Sequence, residues 1–266
     1  MAFSAQEIEP QTASEMENRM NKPGSKVAIV TGSSQGIGAG IAKALAAEGT
    51  AVVVNYVKNK TGADAVVASI AESGGRAIAV EADVTSETGA GTLVETAIQH
   101  FGRLDILVNN SGVYAFSPLD AFSVETYRRL FDTNVLGVLL TTQAATKQMA
   151  DGGSIINVGS NITQMTMPTS SVYAGSKAAV ESISRVLSKE LGPRKIRVNC
   201  VMPGPVDTET SRSMGGGDSE QMKMIIGMTP LGRIGQPDDI ASVVTFLAGD
   251  DAAWVTGANI LVSGGL

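Results

Sequence analysis

The sequence predicts an α/β fold, a doubly wound parallel sheet of about seven strands in one domain. Three observations predict it. Short β-branched runs alternate with longer stretches whose apolar residues recur at helical spacing. The runs are continuously apolar rather than alternating, as strands buried on both faces of a parallel sheet must be. A glycine-rich turn separates the first run from the first helical stretch, where such folds receive a phosphate.

In order, "KVAIVT" from Lys26 reads as the first strand and Ile37 to Glu48 as a helix. "AVVVNY" is the second strand, followed by a helix from Ala63 to Glu72. "RAIAVEA" is the third, before a helix from about Glu87 to Phe101. "LDILVNN" is the fourth, before one long helix from about Ser123 to Met149. "SIINVGS" is the fifth and "IRVNCVM" the sixth, with a proline-free helix from Val172 to Leu191 between them. A helix near Asp238 to Ala248 and a last strand, "NILVSG", complete the pattern. Residues 1–25 are polar and end at Pro23-Gly24 before Ser25, so a mobile arm, or one ordered by a neighbouring subunit, is expected ahead of a 26–266 domain.

Composition narrows the function. A net charge of −6 and a pI near 4.9 argue against a general nucleic-acid binder. No run approaches the roughly 18 apolar residues that span a membrane, and the first residues lack the basic and apolar regions of a secretory signal, so a cytoplasmic location is expected. One cysteine, Cys200, excludes an internal disulfide and a cysteine metal cluster, and it reads as a small buried core residue. One histidine, His100, excludes a histidine-rich metal site, and its place late in a helix suits the C-terminal end of the dipole. No metal is expected.

Two stretches carry chemistry. "TGSSQGIG" places Gly32, Gly36 and Gly38 in the turn after the first strand, where backbone amides at a helix N-terminus can meet a pyrophosphate. In "SSVYAGSKAAV", Tyr173 and Lys177 stand four apart, on one face of a helix. A lysine beside a phenol is expected to lower its pKa, and Ser160, ending the fifth strand, brings a hydroxyl to the same place.

These residues resemble the short-chain dehydrogenase/reductase family in its single-domain form. "TGSSQGIG" is similar to the family's TGxxxGIG turn, and "NNSG" at Asn109 to Gly112 to its NNAG. "NVLG" supplies its helix asparagine, Asn134. Ser160, Tyr173 and Lys177 match its serine and YxxxK, and "MPGPVDT" its PG segment. The likeness covers about residues 26 to 265. It implies a seven-stranded Rossmann sheet, a homotetramer or sometimes a dimer, and catalytic roles for Asn134, Ser160, Tyr173 and Lys177. Ser160 is expected to bind the substrate oxygen, Tyr173 to pass the proton, Lys177 to tune it and bind the nicotinamide ribose, and Asn134 to hold a relay water.

The implied cofactor is a nicotinamide dinucleotide. Its contacts are expected from Gly32, Ser34, Gln35, Gly36, Ile37 and Gly38 in the turn, and from Asn55, Tyr56 and Lys58 at the second strand. Asp83 and Val84 are expected at the adenine, and Asn110, Gly112, Tyr173, Lys177, Pro203, Gly204, Val206 and Thr208 toward the ribose and carboxamide. NAD-preferring relatives usually carry an acid at the end of the second strand. Here "VVVNYVKNK" has none, and Lys58 suits a 2′-phosphate, so NADP(H) is expected, with NAD possible. The small-molecule substrate is expected to be a ketone or secondary alcohol. A 3-oxoacyl thioester and a glucose or polyol stay open, and a non-catalytic NADP-sensing protein is the remote reading. Carrier-protein reductases of the family dock on basic residues near the entrance, where Asp151 stands, although Arg194 and Lys195 remain positive. The segment from Asp207 to Leu231 is expected to be a lid with a flexible point at Gly215 to Gly217. Met165, Met167, Met214, Met222, Met224 and Met228 either line an adaptable pocket or fill gaps between helices.

Overall fold

The computed structural model describes residues 25–213 and 220–266. The expected arm, apart from Ser25, and Met214 with Gly215 to Gly217 lie outside the described residues. Seven parallel strands form one sheet: β1 (Val27–Val30), β2 (Ala51–Tyr56), β3 (Ala77–Glu81), β4 (Ile106–Asn109), β5 (Ser154–Val158), β6 (Arg197–Pro203) and β7 (Asn259–Val262). Their order across the sheet is β3-β2-β1-β4-β5-β6-β7. The chain therefore runs outward from β1 to one edge, returns, and runs outward from β4 to the other.

Burial follows that order. Every residue of β1, β2, β4 and β5 is buried, whereas the edge strands β3 and β7 are largely half-exposed. One face carries Ala28, Val30, Val52 and Val54 against α1 (Gly36–Ala47), α2 (Lys60–Glu72) and a C-terminal helix over Pro237–Ala248. The other carries Ile29, Val53, Leu107 and Ile155 against α3 (Glu87–Phe101) and the helices beyond β4. Alternate residues of one strand thus serve two cores, which is why the strands read as unbroken apolar runs.

The long helix expected from Ser123 to Met149 is interrupted. It begins as α4 (Val124–Phe131), widens into a π-turn over Asp132–Leu136, and resumes as α5 (Gly137–Gln148). Single π-turns inside helices occur frequently at functional sites, and Asn134 is at the middle of this one. A short α6 (Ile162–Met165) precedes α7 (Ser171–Glu190), the helix of Tyr173 and Lys177. The expected lid holds α8 (Glu209–Ser213) and α9 (Glu220–Met228), before α10 (Pro237–Ala248).

A buried polar network joins the sheet to two helices. Asn109 donates to Asn157 at 2.8 Å and to Thr142 at 3.1 Å, and accepts from Thr141 at 2.6 Å. Asn157 in turn donates to Ser184 of α7 at 2.8 Å. His100 occupies the last turn of α3, ahead of the left-handed Gly102 that ends it, and Cys200 is fully buried in β6. Among the described residues no helix is long and apolar enough to cross a membrane.

Candidate active site

All the loops that leave the carboxyl ends of β1 to β6 open onto one cleft of about 820 Å³. It is centred where the strand order reverses, between β1 and β4, the crevice in which doubly wound sheets take ligands.

At one end is the glycine turn. Gly32 and Gly36 hold φ of 59° and 58°, a left-handed conformation that side chains resist. Gly38 is required by proximity instead: a Cβ there would lie 2.5 Å from Asn110 Nδ2 and 2.6 Å from the Gly32 carbonyl oxygen. The turn is held from beneath. Asn55 Oδ1 accepts from the Gly32 amide at 3.0 Å, and its Nδ2 donates to the Ala82 carbonyl at 3.0 Å. Asn110 Nδ2 donates to the carbonyls of Thr31 and Gly32 at 2.9 and 3.0 Å. The N-terminus of α1 is left facing the cleft with a cradle that no side chain fills, which fits a dinucleotide pyrophosphate.

Most of the expected cofactor residues line this cleft: Gly32, Gln35, Gly36, Ile37, Gly38, Lys58, Asp83, Val84, Asn110, Gly112, Tyr173, Lys177, Pro203, Gly204, Val206 and Thr208. Three do not. Asn55 is fully buried with its side chain committed to the turn, so it shapes the cradle from below instead of facing a ligand. Tyr56 is 7% exposed and packs in the core against α1 and α2. Ser34 is not among the lining residues, and its carbonyl oxygen lies 2.5 Å from where a Cβ on Gly62 of α2 would stand. Gln35, at the tip, accepts from Asn59 at 2.9 Å and donates to Thr210 at 3.0 Å, tying the turn to the second strand's loop and to α8.

At the other end, Ser160, Tyr173 and Lys177 face the same space. Lys177 Nζ donates to the Val158 carbonyl at 2.8 Å, which anchors α7 to the end of β5. Burial pulls the Lys177 ammonium down to about 8, and nearby Cys200 is pushed up to about 12 by its own burial. Tyr173 departs from the expected acidity. Burial raises its pKa, and the side-chain hydrogen bond with Ser160 opposes that rise without reversing it. The reason is geometric: the ammonium is aimed at the β5 carbonyl, and a half-buried phenol loses more from desolvation than it gains.

Asn134 is buried in the π-turn behind the wall. Its Oδ1 accepts from the Val113 amide at 2.8 Å, and its Nδ2 donates to the Val113 carbonyl at 2.9 Å and to Ser176 at 3.0 Å. Its carboxamide is therefore engaged on both sides within the protein. A Cβ at Gly112 would come within 3.3 Å of Lys177 Nζ and 3.4 Å of Asn134 Oδ1, so the three positions share one corner.

Sequence reasoning missed Tyr114 and Phe116, which line the cleft beside Tyr173. Only their closeness to "NNSG" could have signalled them. Of the described methionines none lines the cleft, and Met224 and Met228 are 65% and 51% exposed.

A doubly wound sheet with a glycine cradle at its switch point, and Ser160, Tyr173 and Lys177 in the same cleft, has the architecture of a dinucleotide-dependent oxidoreductase. Comparison agrees. A short-chain family model described as Enoyl-(Acyl carrier protein) reductase matches residues 32–266. An uncharacterized oxidoreductase of Methylorubrum extorquens is 60% identical, covering 93% of this chain and all of its own. The hydroxynaphthalene reductase-like protein Arp2 of Metarhizium guizhouense is 41% identical over 90% of this chain and 94% of its own. A 3-oxoacyl-[acyl-carrier-protein] reductase of Synechocystis is 40% identical, over 91% and 96%. Among solved structures, a blue fluorescent protein from a metagenomic library, in complex with NADPH, superposes with a TM-score of 0.84 at 39% identity, over 90% and 97%. The landomycin C-6 ketoreductase LanV, with bound NADP and rabelomycin, gives 0.81 at 37%, over 90% and 95%. The chain belongs to the short-chain dehydrogenase/reductase family of NAD(P)-dependent oxidoreductases.

Proposed function

We propose that this chain is an NADPH-dependent carbonyl reductase, reversible as an alcohol dehydrogenase, acting on small or medium ketones. The observation that carries the reading is one cleft with the glycine cradle at one end and Ser160, Tyr173 and Lys177 together at the other. The dinucleotide, when bound, supplies or accepts the hydride. Ser160 donates a hydrogen bond to the substrate oxygen and stabilises its developing charge. Tyr173 gives that oxygen its proton in reduction and takes it back in oxidation. Lys177, held by the Val158 carbonyl at the end of β5, binds ribose hydroxyls. Asn134, with its carboxamide engaged, fixes the Val113 segment beside Lys177.

Three points support NADP(H) over NAD(H). No acid stands at the end of β2, Lys58 lines the cleft, and the two solved relatives above hold NADPH and NADP. Lys58→Ala is expected to weaken NADPH binding about tenfold more than NADH. Equal losses would remove the cofactor preference from this proposal.

The 3-oxoacyl reading has the Synechocystis relative in its favour. Against it, an acid, Asp151, stands at this edge and pairs with Arg194 at 3.0 Å, which leaves exposed Lys195 as the unopposed cation there among the described residues. Turnover of acetoacetyl-CoA compared with simple ketones separates the two: faster thioester reduction would reverse the order.

We also propose a homotetramer in the cytoplasm. Leu136, Leu139 and Val186 on the outer helices, and Trp254, Phe246 and Leu261 near the β7 edge, are all exposed, as surfaces for subunit contact would be. A monomer in sedimentation at micromolar concentration would refute the assembly.

A further inference from the structure

Tyr114 and Phe116 take no part in the roles above. The segment that carries them joins β4 to α4, and its side chains alternate: Tyr114 and Phe116 line the main cleft, while Ala115 and Ser117 line a separate small cavity of about 20 Å³. That alternation is the signature of an extended backbone. The segment is pinned at both ends. Asn134 holds both backbone groups of Val113, and the Ser117 amide donates to the Thr169 carbonyl at 2.8 Å. Thr169 holds φ of 68°, a conformation that a β-branched residue resists.

The two rings and Tyr173 form a near-equilateral triangle. Centroids are 6.0 Å apart for Tyr114 and Phe116, 6.1 Å for Tyr114 and Tyr173, and 6.0 Å for Phe116 and Tyr173. Phe116 remains 47% exposed, so its ring is not used up by this packing. A carbonyl that reaches the Tyr173 hydroxyl must therefore bring one of its substituents alongside the other two rings. Aromatic faces and edges favour another π-system beyond the gain from area alone, whereas a saturated ring collects only the area term.

We propose that Tyr114 and Phe116 are specificity-determining residues that select a ketone carrying an aromatic ring over a saturated ketone of the same size. This rests on the carbonyl-reductase reading. The step itself is unchanged: NADPH gives a hydride to the carbonyl carbon, the Tyr173 proton goes to the oxygen, and a secondary alcohol and NADP⁺ result. The test compares 2-tetralone with 2-decalone, which share one bicyclic carbon skeleton and differ in the aromatic ring. The wild-type enzyme is expected to show at least a tenfold higher kcat/KM for 2-tetralone. Phe116→Leu, and more so Tyr114→Leu with Phe116→Leu, is expected to bring that ratio close to one, while Phe116→Tyr keeps it. NADPH fluorescence titration shows whether each variant has folded, and calorimetry with 2-naphthol against its decahydro analogue reads the same preference without turnover. Reduction of both ketones at equal efficiency, or a ratio that survives the leucine variants, would overturn the aromatic selection and leave the reductase reading standing. Failure of the wild-type enzyme to reduce either ketone would overturn both.

Discussion

At the dinucleotide end of the cleft, Asn55, Asn110, Thr31 and Ser33 bind one another's backbones so completely that the glycine turn has one shape available to it. At the substrate end, three ring centroids lie 6.0 to 6.1 Å apart, and Thr166 and Thr169 adopt left-handed backbone. The first end is specified by short directional bonds and close approach. The second is shaped by packing, which tolerates exchange of one apolar side chain for another. A cradle for an invariant ligand and a wall for a variable one call for those different materials.

Three measurements probe this contrast. The largest effect is expected where the two ends meet. Tyr173→Phe should lower turnover about a thousandfold, the scale of a lost general acid, while leaving NADPH affinity nearly unchanged in a fluorescence titration. Retained turnover would take Tyr173 out of the proton path.

Next is the buried Lys177. Its ordinary value is 10.5 and folding lowers it to about 8, so between those values the unfolded chain binds the extra proton. Its contribution to stability therefore rises as pH increases through that window, by about 3 kcal/mol in full. Cys200 acts oppositely. Burial moves its thiol from 9.0 to about 12, so the unfolded chain releases that proton first and stability falls above the lower value. The difference between wild type and Lys177→Met in denaturant unfolding isolates the lysine, and a pH-independent difference would contradict its burial as a cation.

The smallest is a pure steric test of the cradle. Gly38→Ala should cost about 2 kcal/mol, because its Cβ would strike Asn110 and the Gly32 carbonyl. Thermal or denaturant unfolding at unchanged pH reads it directly, and an unaffected midpoint would show that the turn has slack.

How much of this was legible follows from the same contrast. The strands could be read because β1, β2, β4 and β5 are buried on both sides, which forces an unbroken apolar run. The glycines could be read because positive φ and contact below 3 Å admit little else. Asn55 and Tyr56 are buried beneath the cleft, a placement that sequence does not reveal, because a polar residue at a strand end looks the same whether it faces a ligand or the underside of a turn. The π-turn at Asn134 was hidden because one extra residue in a helical turn hardly disturbs the apolar spacing. The acidity expected of Tyr173 failed because four-residue spacing fixes which face Lys177 shares, not where its long side chain points. Tyr114 and Phe116 belong to no motif, and only tertiary structure brings their rings to Tyr173.

The chain of carboxamides and hydroxyls from Thr141 and Thr142 through Asn109 and Asn157 to Ser184 fixes more than stability. It works as a registration pin, since sliding or rolling the helix of Tyr173 over the sheet would strand several of these groups together without water to receive them. Ser184 lies about three helical turns from the phenol, so the aim of the proton donor is set well away from any surface that substrate touches. Loss of activity by a substitution at that depth would be a fault of alignment, with every reacting group still present.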